Sequence, residues 1–238
     1  MFNRKRIKLP REVVKDLKHI SDLSCKKKWE YAGNVDCKVI ENLAVFSKPS
    51  FVTSRDRGRV QLRTVELVWP ALISYHTHPC AIKPSKIDYN KDSVFVTLPS
   101  NQDFEAFIVC FPTMQTNIIC DAHGYYVIDI LDAVEKGNIP LPSGVNRIMN
   151  DFRQEPKLQE MVFSEDGLEY FESTLNTWKR LINVDLNQKM RKILGITIRF
   201  YGYEDEPPLI TFDLDNICLL YTSPSPRDIS GSRMPSSA

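Results

Sequence analysis

The segment Ile73-Ser74-Tyr75-His76-Thr77-His78-Pro79 contains two of the four histidines in a chain of 238 residues. It continues an apolar run that starts after Pro70 and stops at Pro79. Proline is tolerated at the ends of a β-strand but not in its middle, so this pattern predicts a strand between the two prolines. Side chains alternate across a strand, which places His76 and His78 on one face near its carboxyl end. Two imidazoles on one face make half of a metal site.

A complete site of this kind needs a third ligand and a proton acceptor. A catalytic zinc usually has three protein ligands and one open position for water. Two Pro-Ser-x-x-Asp segments follow the histidines and offer the carboxylates of Asp88 and Asp103. Upstream, Glu30 precedes Gly33, a residue that permits a turn, and is a candidate general base.

Each of these elements has a plainer interpretation when taken alone. A serine three residues before an acidic residue is a common start of an α-helix, where both side chains satisfy backbone N–H groups. Glu30 beside the basic run 26–28 is typical of a solvated acid. A histidine pair at a strand end often consists of ordinary polar residues that bind no metal. The three elements together, in this order along the chain, indicate a metal site more specifically than any one of them does.

Together, Glu30-x-x-Gly33, His76-x-His78-Pro79 and Pro99-Ser100-x-x-Asp103 resemble the signature of the JAMM (MPN-plus) metalloproteases, in the family's order along the chain. Members of that family are zinc isopeptidases that remove ubiquitin or ubiquitin-like proteins from lysine side chains. The resemblance covers roughly residues 7–130. It implies that His76, His78 and Asp103 bind Zn²⁺, that Glu30 is the general base, and that Ser100 helps to hold the developing oxyanion.

The chain departs from the family in the position of the serine, which usually follows the second histidine by about eight residues. Ser100 follows His78 by twenty-two residues and Ser85 follows it by seven. We favour Ser100 and Asp103 because a helical apolar stripe comes directly after them, ended by Pro112. Asp88 leads instead into a polar stretch without such a stripe. Residues 80–98 are then an insertion beside the metal, and Ser85 with Asp88 stays the alternative pair.

The chemistry that the resemblance implies suits these residue types. Zinc bound by two neutral imidazoles and one carboxylate keeps a net positive charge, which lowers the pKa of a bound water toward neutrality. Glu30 would take the proton of that water and later return it to the leaving lysine amine. The Ser100 hydroxyl would stabilise the oxyanion together with the metal. No covalent acyl-enzyme is expected.

The pattern of elements predicts an α/β fold, and the resemblance implies an MPN-like (cytidine-deaminase-like) sheet packed against helices over residues 1–130. Residues 131–217 are predicted to form an extension that either completes the sheet or holds the substrate. In that extension an apolar stripe from Leu168 to Ile182 predicts a helix. The runs 196–201 and 209–212 predict a β-hairpin.

Residues 218–238 resemble the translation of a sequencing-library adapter rather than natural protein, and they are rich in serine and proline. They are expected to be disordered and to lie outside the fold. The chain carries 31 basic and 30 acidic residues, and the segment holds two of the former and one of the latter. The remaining 217 residues are therefore balanced in charge, which gives no electrostatic case for nucleic acid as a partner.

Five cysteines remain in residues 1–217, without the spacing of a metal finger, which is typical of a reducing compartment. No apolar run approaches the eighteen residues of a membrane span. We therefore expect an intracellular protein, cytoplasmic or nuclear. Its expected partners are ubiquitin or ubiquitin-like conjugates. Two alternatives stay open, a non-catalytic MPN-type scaffold and a metallopeptidase that cuts ordinary peptide bonds.

Overall fold

The computed structural model describes residues 4–40, 43–57, 71–81, 92–165 and 168–213. The predicted strand start at Pro70, the alternative pair Ser85 and Asp88, and the segment 218–238 lie outside these residues.

The described strands are β1 (Arg4–Lys8), β2 (Ala32–Val35), β3 (Cys37–Ile40), β4 (Leu43–Phe46), β5 (Ser50–Val52), β6 (Ile73–Thr77), β7 (Val94–Thr97), β8 (Thr116–Cys120), β9 (Gly124–Asp129), β10 (Val162–Glu165), β11 (Leu168–Ser173), β12 (Thr197–Gly202) and β13 (Leu209–Asp213). The described helices are α1 (Arg11–Lys27), α2 (Asn101–Cys110), α3 (Leu131–Glu135), α4 (Pro142–Arg153), α5 (Pro156–Met161), α6 (Leu175–Arg180) and α7 (Asn187–Leu194), with a π-helical segment, Leu181–Leu186, joining the last two.

A mixed sheet of six strands forms the centre of the molecule, in the order β12-β9-β8-β6-β2-β5. The pair β6 and β8 is parallel, and the other neighbouring pairs are antiparallel. A second, three-stranded sheet has the order β10-β11-β7, and β1 pairs with β13. The mixed α/β class expected from the sequence is therefore confirmed, with the sheet packed against helices on both faces.

Two apolar layers cover the two faces of the central sheet. In β8 the five residues are all buried, and they alternate between the layers, with Ile119 facing one and Ile118 the other. The first layer packs against helices α2, α4 and α7, and the second against α1. Its sequence, Thr116-Asn117-Ile118-Ile119-Cys120, shows no alternation of polar and apolar residues, which is typical of a strand buried on both faces. Pairing aligns His76 with Ile119, which puts the histidine on the face covered by α2.

Two predictions for the C-terminal region are wrong. The stripe from Leu168 to Ile182 is not one helix, because Leu168–Ser173 forms strand β11 between β10 and β7. Thr174 is extended and its side chain accepts a hydrogen bond from the Thr177 N–H, so the helix begins only at Leu175. The aromatic residues of β11 are buried in the three-stranded sheet, and this packing outweighs the helical spacing.

The predicted hairpin between residues 196–201 and 209–212 is also wrong. Strand β12 pairs with β9, whereas β13 pairs with β1 at the other end of the chain. Among the described residues, the outer edge of β12 is covered by helix side chains rather than by a strand. Asn183 accepts from the Phe200 N–H at 2.6 Å and donates to the Phe200 carbonyl at 3.0 Å. Asn187 accepts from the Ile198 N–H at 3.0 Å.

Gly33 in β2 lies where two strands leave no room for a side chain. A Cβ at this position would lie 1.8 Å from the Ser50 carbonyl oxygen and 2.8 Å from the Tyr75 hydroxyl. We expect Gly33→Ala to lower the free energy of unfolding by about 3 kcal/mol or more, because backbone must move to relieve the overlap. Urea denaturation measures the change. Gly144→Ala is the control, since its Cβ would meet only the flexible end of Leu194 at 3.1 Å. Equal effects of the two variants would contradict the prediction.

Among the described residues, no helix is both long and apolar enough to cross a bilayer.

Candidate metal centre

The histidine pair lies at the carboxyl end of β6, between β2 and β8. His76 is within the strand, and the backbone N–H of His78 donates to the Cys120 carbonyl at 2.8 Å, which continues the ladder with β8 by one residue. The two Nε2 atoms lie 3.2 Å apart. The prediction that both imidazoles share one face is confirmed, and the nitrogens converge on one point.

Glu30 reaches the histidines because of the register between β2 and β6. Ala32 pairs with His76, so the same antiparallel register places Glu30 opposite His78. The backbone of Glu30 is held by its N–H to the Asp56 carbonyl at 2.8 Å and by the Thr53 hydroxyl, which donates to its carbonyl at 2.6 Å. Glu30 is only 8% exposed, so it is not the solvated acid of the plainer interpretation.

Asp103 and Ser100 lie at the start of α2, where the predicted helix begins. Ser100 is the N-cap, and its hydroxyl accepts from the Asp103 N–H at 3.2 Å. The Asp103 carboxylate accepts from the Ser100 N–H at 2.7 Å, which completes a capping box. The same carboxylate lies 3.1 Å from Nε2 of His76 and 3.7 Å from Nε2 of His78. Capping and approach to the histidines coexist in one side chain.

The spacing of these atoms fits a small divalent cation. Ligand atoms held at 2.0–2.1 Å in tetrahedral geometry lie about 3.3 Å from one another. The two imidazole nitrogens at 3.2 Å, and the contact between His76 and Asp103 at 3.1 Å, are close to that edge length. Imidazole and carboxylate are also the donor set of many catalytic zinc sites. The residues present therefore fit a metal.

Two carboxylates compete for the role of third ligand. Glu30, His76 and His78 form a group whose ligand atoms all lie within 4.8 Å of one another and could hold a metal ion. Yet the Glu30 carboxylate is 4.0 Å from Nε2 of His76, farther than the Asp103 carboxylate at 3.1 Å. At His76 the distances favour Asp103 over Glu30 as the third ligand.

The electrostatics of the two carboxyl groups differ. Burial raises the pKa of Asp103, but the charge of His76 and hydrogen bonds from both imidazoles outweigh it and hold that pKa well below the ordinary value. Burial raises the pKa of Glu30 to about 8, against a lowering influence of His78. Among the described residues, the buried Oε2 of Glu30 has no hydrogen-bond partner. Such an atom fits a site that takes up a further polar group.

The site opens into a cavity of about 600 Å³. Its lining includes Glu30, His76, His78, Ser100 and Asp103. Its lining also includes Met114, which follows α2, and Leu168 and Glu169 in the C-terminal region. All five residues predicted from the sequence therefore border one cavity.

Sequence reasoning missed two residues that support the site, Tyr170 in the C-terminal region and Arg57 near the end of the described segment 43–57. The Tyr170 hydroxyl in β11 donates to the Pro79 carbonyl at 2.9 Å, next to His78. Arg57 donates to that hydroxyl at 3.2 Å and lines the cavity. No local pattern marks these residues, because their roles depend on the pairing of β11 with β7. The sulfur of Cys80, two residues after His78, contacts the Lys28 ammonium at 3.3 Å.

No protein-family model, curated protein or solved structure matches the chain.

Proposed function

We propose that this protein is a zinc-dependent isopeptidase of the JAMM type, with an MPN-like core, that hydrolyses ubiquitin or ubiquitin-like conjugates. The observation that carries the proposal is the convergence of three distant segments, with Asp103 at 3.1 Å from His76 and Glu30 at 4.0 Å. The three segments contain the motifs that resemble the family signature. Chance proximity of a buried acid, two imidazoles and a helix-capping aspartate is a weaker explanation.

In this proposal His76, His78 and Asp103 would hold Zn²⁺, and the ion would supply Lewis-acid activation of a water molecule and of the scissile carbonyl. The Glu30 carboxylate accepts a proton from the attacking water and donates it to the departing lysine amine. Burial raises the pKa of Glu30 to about 8 and so favours its protonated form. Donation of a proton to the lysine amine requires that form. A cation held by these residues would oppose that rise in pKa, which would favour the base form of Glu30 needed in the first step.

We assign Ser100 as the oxyanion donor because it lines the same cavity as the histidine pair. Its hydroxyl oxygen accepts from the Asp103 N–H, so its own proton stays available to donate into the cavity. A donor aimed at the negative charge that develops on the carbonyl oxygen lowers the barrier to hydrolysis. The helix that carries Ser100 is anchored by Phe104 and Phe107, both fully buried, which keeps this donor in place.

The complete set of residues favours an enzyme over a non-catalytic scaffold, since scaffolds of this type usually lack one or more ligands. The test is purification without added metal, measurement of bound zinc, and incubation with a panel of lysine-linked diubiquitin and ubiquitin-like conjugates. We expect about one zinc ion per chain, cleavage of at least one conjugate, loss of activity with a chelator and recovery with Zn²⁺. Zinc without cleavage of any isopeptide or peptide bond would move the assignment to the scaffold. Cleavage of ordinary peptides alone would make the protein a peptidase.

A further inference from the structure

Thr97, the last residue of β7, contacts the one ring nitrogen of His78 that faces away from the centre. Nδ1 of His78 lies 2.7 Å from the Thr97 hydroxyl oxygen. That hydroxyl lies 2.8 Å from the Asp121 carboxylate, and the same carboxylate oxygen accepts from the Thr97 N–H at 2.8 Å. Thr97 and Asp121 are 4% and 1% exposed, so water does not compete for these contacts.

Counting protons fixes the direction of each hydrogen bond. A hydroxyl has one proton to donate, and a carboxylate only accepts. Asp121 accepts from three donors, the N–H and hydroxyl of Thr97 and the His123 N–H at 3.1 Å. The Thr97 proton is therefore committed to Asp121, and the Thr97 oxygen accepts from Nδ1–H of His78. In this tautomer the lone pair is on Nε2, the nitrogen that faces His76 and Asp103.

Thr97 cannot easily turn away from this contact. Its carbonyl accepts a hydrogen bond from the Tyr126 hydroxyl, which in turn accepts from the indole N–H of Trp178 at 2.7 Å. Tyr126 and Trp178 are fully buried, and β7 is paired with β11. Among the described residues, no comparable partner holds Nδ1 of His76. The support is therefore specific to His78.

We propose that Thr97, oriented by Asp121, is a positioning residue that fixes the ring and tautomer of His78 so that Nε2 is ready to bind a metal. The identity of the metal as Zn²⁺ rests on the proposed function. The tautomer of His78 follows from the hydrogen bonds of Thr97 and Asp121 alone. Partners in contact with ligating histidines typically contribute 10–100-fold in metal affinity. Trp178 and β11 belong to residues beyond 130, so the C-terminal region helps to set the geometry of the centre.

The test compares Thr97→Val, which keeps the shape but removes the hydroxyl, with Thr97→Ser, which restores it. In the full chain, Zn²⁺ affinity is measured by competition with a chelator. We expect Thr97→Val to bind Zn²⁺ about 10–100-fold more weakly and Thr97→Ser to remain within about threefold of wild type. Thr116→Val is the matched control, because Thr116 is also a fully buried strand residue and its hydroxyl has no partner among the described residues. It is expected to bind like wild type.

A second measurement uses metal-free protein and ¹⁵N NMR of the imidazole rings. Wild type and Thr97→Ser are expected to show His78 protonated at Nδ1, and Thr97→Val is expected to lose that preference. Unchanged ring spectra and unchanged Zn²⁺ affinity in a folded Thr97→Val protein would overturn the proposal. If wild type binds no Zn²⁺, the proposed function fails, while the NMR comparison still decides whether Thr97 sets the tautomer.

Discussion

Glu30→Gln is expected to lower the rate of isopeptide hydrolysis by about 10²–10⁴-fold, the usual contribution of a general acid–base group, while Zn²⁺ binding stays within a few-fold of wild type. Glutamine has nearly the same size, so the packing around this buried side chain is kept. Its amide cannot accept the proton of the attacking water. The distance of 4.0 Å between the Glu30 carboxylate and Nε2 of His76 is the reason to expect metal binding to survive.

Single-turnover cleavage of a diubiquitin substrate and zinc analysis of the same preparation measure both quantities. Glu105→Gln is the matched control, because Glu105 is an exposed residue of α2 outside the cavity lining. It is expected to behave like wild type. Full activity in Glu30→Gln would exclude the general-base role. Loss of zinc together with activity would instead make Glu30 the third ligand, as its place in the group with His76 and His78 also permits.

Asp103→Asn is expected to weaken Zn²⁺ binding by at least about 100-fold, since even residues outside the ligand sphere contribute 10–100-fold. The substitution removes the negative charge that lies 3.1 Å from His76. The asparagine oxygen can still accept from the Ser100 N–H, so the capping box is largely retained and the protein is expected to fold. Chelator competition measures the affinity, and thermal unfolding of the metal-free protein checks the fold.

Ser100→Ala separates capping from metal binding in the same helix turn. Removal of an N-cap hydroxyl costs about 0.5–2 kcal/mol of stability, but this variant keeps the Asp103 carboxylate and is expected to keep its Zn²⁺ affinity.

Asp88→Asn tests the alternative third ligand, Asp88, which lies outside the described residues. Zinc lost in Asp88→Asn but kept in Asp103→Asn would overturn the choice of third ligand.

The local parts of the centre could be predicted from the sequence. The shared face of His76 and His78 follows from the period of a strand, and β6 is a strand in the structure. The start of α2 at Ser100, with Asp103 in its first turn, follows from capping chemistry that involves residues three positions apart. Both predictions depend only on neighbours in the chain, where backbone geometry and hydrogen bonding leave few alternatives.

The pairing of distant strands was decided only by tertiary structure. Strand β11 was predicted as part of a helix because its apolar residues recur at helical spacing, and only burial between β7 and β10 makes it a strand. Strand β13 pairs with β1 rather than with β12. The approach of Glu30 to His78 depends on the register of β2 against β6, and the contact of Thr97 with His78 depends on where β7 lies. Such choices are made by burial summed over many residues far apart in the chain, which no short stretch of sequence contains.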